Sequence, residues 1–361
     1  MIRRGLFCLL LAVCVSCPAL AVELEDAFGT AQVAEAAPRE AREILGGPDA
    51  DGADLNAGLE RLLSFAQAHF SEEMKNVLRP LGGMIAVCLL CGLAEVLYTG
   101  TGGFDAVTLG GCLAIAVIGV EDVRSVLACG IEVLTELTDF SRVLLPVLTT
   151  TAAASGAAGS AAAAYAVSAM FSDLLLTGAE TLIFPMICGY AAVSVCSAVL
   201  GDRRLDGAVR FLQWGAKLLM KGLVLCFTAY LTLTGILAGT ADAAAVKAAK
   251  TLLSAALPVV GKLMADASEA LVAGAGLIRG AVGVYGLLVC LAVVALPVLR
   301  LGLRCLLFRA AAAVCAGFAG ERQTRLITGL GNAYGMVLGL IASAAAIEFL
   351  AVISLIRTVT L

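Results

Sequence analysis

Charge is what this 361-residue sequence has least of: 14% of its residues are Asp, Glu, Lys or Arg, and the net charge is −4. Soluble chains of this size are about 25% charged, and nucleic-acid-binding chains carry a basic stripe, so both classes are excluded. There is one histidine, His69, with Glu72 and Glu73 close behind it, on what reads as a solvated helix face. A lone histidine leaves a serine or cysteine nucleophile without a relay of the usual kind, and HExxH and glycine-rich phosphate loops are missing as well. Thirteen cysteines fall mostly as single residues in apolar runs, the usage of small packing side chains. Cys88 and Cys91 have the spacing of a metal or redox pair, but no second pair stands at a metal-site distance. The expectation is a protein without catalytic residues, metal or cofactor, and not an enzyme.

What is present is apolar: 61% of residues are hydrophobic and the mean hydropathy is +0.99. That composition describes an all-α, polytopic helical membrane protein. Arg3 and Arg4, an apolar core and Ala19-Leu20-Ala21 read as a signal peptide over residues 1–21, cleaved before Val22; the rival reading keeps it as a first anchor. Residues 22–79 are acidic and Ala-rich, interrupted at Gly46-Gly47-Pro48-Asp49, and read as short amphipathic helices outside the cytoplasm. Residues 80–97 and 106–120 form a transmembrane hairpin around the turn-rich 98–104. In residues 121–142, Val123, Val126, Leu127, Ile131, Leu134 and Leu137 recur at three and four among acids, which predicts an amphipathic helix lying on the membrane or a partner; its acidic polar face favours a protein.

The remainder reads as a duplication, 143–239 and 240–361. Pro146 and Pro185 are 39 residues apart, as are Pro258 and Pro297. Each second proline lies in a long apolar run, followed by a charged turn (Gly201-Asp202-Arg203-Arg204, Gly320-Glu321-Arg322) and an aromatic-glycine pair (Trp214-Gly215, Tyr334-Gly335). Paired halves with Pro/Gly-interrupted segments at matching places are a transporter pattern. Arg203, Arg204, Arg210 and Lys217 follow the first long run, and Arg300, Arg304, Arg309, Arg322 and Arg325 surround the second turn, so both turns belong in the cytoplasm. With an external amino terminus this requires 143–172 to dip in and return without crossing, and 244–278 to be re-entrant or to lie on the surface, which leaves six spans. The candidate pathway or hinge residues follow: Pro146, Pro258 and Gly261 as breaks, and Lys247, Lys250, Lys262, Asp266 and Glu269 as charges within apolar sequence. Lys262 and Asp266, four apart, can pair on one helix face. The competing reading puts these charges at the interface, facing water. Gly329, Gly331, Gly335 and Gly339 in the last span permit close helix packing.

The order Leu144-Leu145-Pro146-Val147-Leu148-Thr149, Ser155-Gly156, Val246-Lys247-Ala248-Ala249-Lys250, Leu257-Pro258-Val259-Val260-Gly261 with Asp266 and Glu269, then Gly280-Ala281-Val282-Gly283 resembles the stage III sporulation protein AE family. The likeness runs from about Gly82 to the end; the Ala-rich run 151–169 departs from it. The resemblance implies a multi-pass protein of the mother-cell membrane that surrounds the forespore. Its implied partners are other stage III sporulation proteins, including a cytoplasmic ATPase and a ring-forming subunit, and a forespore channel protein. It supplies no catalytic residues. Three functions are carried forward: a permease-like core subunit of a channel or secretion-like complex, a membrane scaffold without a transport path, and an independent small-solute transporter.

Overall fold

The computed structural model describes residues 29–46, 55–97, 104–201, 203–256 and 260–357; the side chains of 234–275 fall outside that description, as do residues 1–21, where the leader was read. The described residues are helices and turns. In chain order they are α1 (Thr30–Ala36), α2 (Arg39–Leu45), α3 (Leu55–Leu97), α4 (Phe104–Ala154), α5 (Ala158–Gly178), α6 (Phe184–Leu200), α7 (Asp206–Ala256), α8 (Val260–Cys315) and α9 (Glu321–Arg357). Six of these stretches are long and apolar enough to cross a membrane: Leu55–Ala94, Ala106–Ala154, Ala158–Leu200, Asp206–Leu233, Ile278–Cys315 and Glu321–Ile356. Helices satisfy their own backbone groups, which apolar surroundings demand. Leu90, Val117, Leu225 and Val314 point outward, as lipid-facing residues must.

Helix boundaries differ from those the sequence suggested. Helix α3 runs through Pro80, so residues 55–79 and 80–97 belong to one continuous helix. Helix α4 likewise continues across 120/121 and 142/143, joining the second hairpin arm, the amphipathic stretch and the start of the first broken segment. A proline removes one backbone bond and kinks a helix, but packed neighbours can carry the chain through it. The amphipathic division survives within α4: Val123, Val126, Leu134, Leu137 and Phe140 are buried while Glu121, Glu132, Glu136 and Asp139 are exposed.

The first broken segment is a helical hairpin whose break lies at Ser155–Gly156–Ala157, nine residues past Pro146. Ala157 N–H donates to the Ala152 carbonyl (3.1 Å) and Gly156 N–H to that of Ala153 (3.0 Å), with Gly156 at φ +95°. This pairing closes a helix end and needs a residue without a Cβ at the left-handed position. Helix α5 then returns along α4, and the exposed Arg142 bonds Asp173 across the two at 3.0 Å. In the second half α7 ends at Ala256 and α8 begins at Val260; residues 257–259, Pro258 among them, lie outside the described residues. The two halves read from the sequence each hold a long apolar helix, a charged turn and another helix. They differ at the second proline: a π turn, Ala179–Ile183, precedes Pro185, whereas Pro297 sits inside continuous α8. The wider turn suits a residue with no N–H to donate.

Helix α9 is the hub, packing against α8, α4, α6, α7 and α5. Leu326, Ile327, Leu340, Ile341, Ile347 and Leu355 are fully buried along it. Its glycines serve three neighbours: Gly331 and Gly335 meet Phe308 and Cys305 of α8, Gly329 meets Ser194 of α6, and Gly339 meets Met220 of α7. Small residues at such crossings let the backbones approach. The two charged turns also lie together, since Arg322 stacks on Gly201 and Arg325 pairs with Asp206 at 3.7 Å.

Glycine packing yields a paired test on α3. A Cβ at Gly92 would collide with the Phe318 carbonyl oxygen, whereas one at Gly82 meets nothing within 4 Å. Gly92→Ala is expected to cost about 1–3 kcal/mol, and Gly82→Ala to be neutral or to gain up to about 1 kcal/mol. Unfolding midpoints in detergent check both, and equal effects would contradict the α3 contact.

Candidate functional site

The interior holds a row of ionised groups organised by α8. Arg300 and Arg304 are one helical turn apart and so share a face. Arg300 makes a two-pronged contact with Glu73 of α3, Nε to Oε2 at 2.9 Å and Nη2 to Oε1 at 2.7 Å, and Glu73 is buried. Such forked pairing is the strong form of a charge-assisted bond. One turn on, Arg304 approaches Asp122 of α4 at 3.3 Å, with both side chains largely buried (11% and 12% exposed). The hydroxyl of the fully buried Tyr334 of α9 donates to the other Asp122 oxygen at 2.7 Å. Phe308, a further turn along α8, meets the Tyr334 ring edge-on at 4.8 Å. Four helices are thus tied by one row. Helix α8 supplies the cations, α3 and α4 the acids, and α9 a hydroxyl.

A second polar cluster lies farther along α4, at Ser141. Glu348 of α9 is 2% exposed, and its two oxygens accept hydrogen bonds from Ser141 of α4 (2.5 Å) and Ser172 of α5 (2.6 Å). Among the described residues no cationic side chain pairs with it. Arg279 on α8 is 5% exposed, and its Nε and Nη1 have no hydrogen-bond partner.

The structure places Pro146 inside α4 and not at a break. Lys247 and Lys250 lie on α7, and Gly261, Lys262, Asp266 and Glu269 on α8; their side chains, and Pro258 altogether, are outside the described residues. Arg300 and Arg304, counted from the sequence with a cytoplasmic turn, instead face carboxylates in the bundle. Their spacing of four within an apolar run was the available signal. Asp122 falls among the acids of residues 121–142, where composition cannot separate a buried acid from its exposed neighbours. His69 is half-buried, with Nδ1 2.9 Å from the Phe65 carbonyl oxygen. Cys88 is buried, and among the described residues no three His, Cys, Asp or Glu side chains could hold a metal ion.

Compared with known proteins, the chain is matched over residues 54–359 by the model for stage III sporulation protein AE. No curated protein and no solved structure matches it.

The Asp122–Arg304 pair makes its own prediction. Removing one partner of a buried pair strands the other, at about 3–5 kcal/mol. Arg304→Gln and Asp122→Asn should each lower the unfolding free energy strongly, and the double variant should recover most of the loss. Strictly additive single effects in that cycle would show that the two groups are not coupled.

Proposed function

The chain is a multi-pass membrane protein of sporulation, a member of the stage III sporulation protein AE family, and from that premise we propose that it is the membrane-embedded, permease-like core subunit of a channel or secretion-like complex between mother cell and forespore. The observation that carries this reading is the Asp122–Arg304–Tyr334 group inside helices of membrane-crossing length and composition. Ionised groups among spans are costly and mark pathways or their gates, and an anchor needs none. The hairpin at 155–157 and the interruption around Pro258, bracketed by Lys247, Lys250, Lys262, Asp266 and Glu269, then line the route. With no phosphate-binding loop, the subunit takes its energy from a partner, the cytoplasmic ATPase of the complex. The ring-forming subunit and the forespore channel protein continue the path beyond the membrane that holds this chain, the mother-cell membrane around the forespore.

A second reading, a scaffold that assembles partners without a path, is favoured by the acidic face that α4 leaves open at Glu121, Glu132, Glu136 and Asp139. Two variant pairs separate the readings. Lys262→Gln with Asp266→Asn is expected to cut spore yield at least tenfold while protein level and partner co-purification stay normal. Glu132→Lys with Glu136→Lys is expected to leave yield closer to wild type. The reverse pattern, with no effect of the first pair and loss of co-purification in the second, would establish the scaffold. Solute uptake into vesicles holding this chain alone would make it an independent transporter.

A further inference from the structure

We propose that Glu348 is a proton-binding site, and that the bound proton latches the α4–α5 hairpin to the central helix. Three observations lead there. The carboxyl is 2% exposed and sits where three helices meet, one oxygen on Ser141 of α4 and the other on Ser172 of α5. No cationic side chain among the described residues offsets it, and an unpaired carboxylate in such a place is costly enough that the group takes up a proton instead. Ser168, one turn before Ser172 on α5, is also buried and its hydroxyl has no partner, so the polar strip continues from Glu348 toward the hairpin tip.

The titratable surroundings are sparse. On α8 the neighbour is the buried Cys290. Arg279, on the same helix, lies about 16 Å along the axis from Cys290; because Gly286 packs at Leu144 and Gly283 at Leu148, the register sets Arg279 nearer the hairpin tip. On the other side of Cys290, Arg300 is engaged by Glu73. On α4 and α5 the charged groups near the serines, Asp139, Arg142 and Asp173, pair with one another on the exposed face. On α6 the buried Tyr190 is the titratable group farthest from solvent; Glu180 of the π turn and Lys217 and Lys221 of α7 are exposed.

With a proton on one carboxyl oxygen, the acid O–H donates to one serine oxygen while the other serine hydroxyl donates to the carbonyl oxygen. The cluster is then neutral and closed. Loss of that proton to water leaves a carboxylate that both serine hydroxyls can still bond but that no cation among the described residues offsets, and the cost of burying that charge favours admission of water between α9 and the hairpin. The hairpin tip is thereby coupled to protonation.

The test uses the full chain in lipid nanodiscs. Infrared spectra of wild type minus Glu348→Gln are expected to show the carbonyl band of a protonated carboxyl at neutral pH, shifted in Ser172→Ala. Raising the pH should remove that band, and amide hydrogen exchange over residues 141–172 should accelerate in the same pH interval in wild type but not in Glu348→Gln. A difference spectrum with no such band at acid or neutral pH would overturn the proposal. So would a band abolished by sodium ions at constant pH, the mark of a metal-cation site. If Glu348→Gln does not accumulate, wild type minus Ser172→Ala serves: a shifted band supports the site, and an unchanged carboxyl spectrum overturns it.

Discussion

Burial of helix α9 is the constraint on which the rest depends. It touches five other helices, so each polar atom it carries must be met from a different direction. Tyr334 finds Asp122, and Glu348 finds Ser141 and Ser172. Where bulk would keep neighbours apart, the helix has glycine, at 329, 331, 335 and 339. An apolar bundle in lipid gains little from hydrophobic association between its helices, so close packing and interhelical hydrogen bonds decide the arrangement. The side chains of α9 supply both.

The charged row on α8 is a second tie on the same framework. Arg300 and Arg304 reach α3 and α4 from one face, and Tyr334 closes the group from α9. Ion pairs of this kind lend specificity more readily than stability, because desolvation offsets much of the attraction. In a membrane-spanning bundle they also keep water-loving groups available inside. Helices α6 and α8 both end at charged turns, and the two turns adjoin one another.

Fold class and the number of apolar crossings were legible because they follow from composition and run length. So was the packing role of the glycines in the last span. Boundaries were not: a span was begun at Pro80 and a break placed at Pro146, yet α3 and α4 run through both prolines. The true stop at Gly156 rests on a left-handed residue and two capping bonds, which Ser-Gly in an Ala-rich run barely signals. The interior ion pairs were missed for a related reason. Hydropathy averages over a window and cannot tell whether Asp122 or Arg304 points to water or to each other. Glu348 lies in the last apolar span, but its serine partners, 207 and 176 residues earlier in the chain, could come only from the fold.

The central claim is that the interrupted segments border a water-accessible route. The direct measurement is cysteine accessibility scanning of residues 244–280 in intact cells, on a background without native cysteines, with a membrane-impermeant thiol reagent. The account predicts labelling from outside at both ends, with a protected or periodic pattern through Lys262, Asp266 and Glu269. Uniform labelling throughout would put the segment on the surface, and labelling of its two ends from opposite sides would make it a full span; either result would contradict a re-entrant segment lining a path.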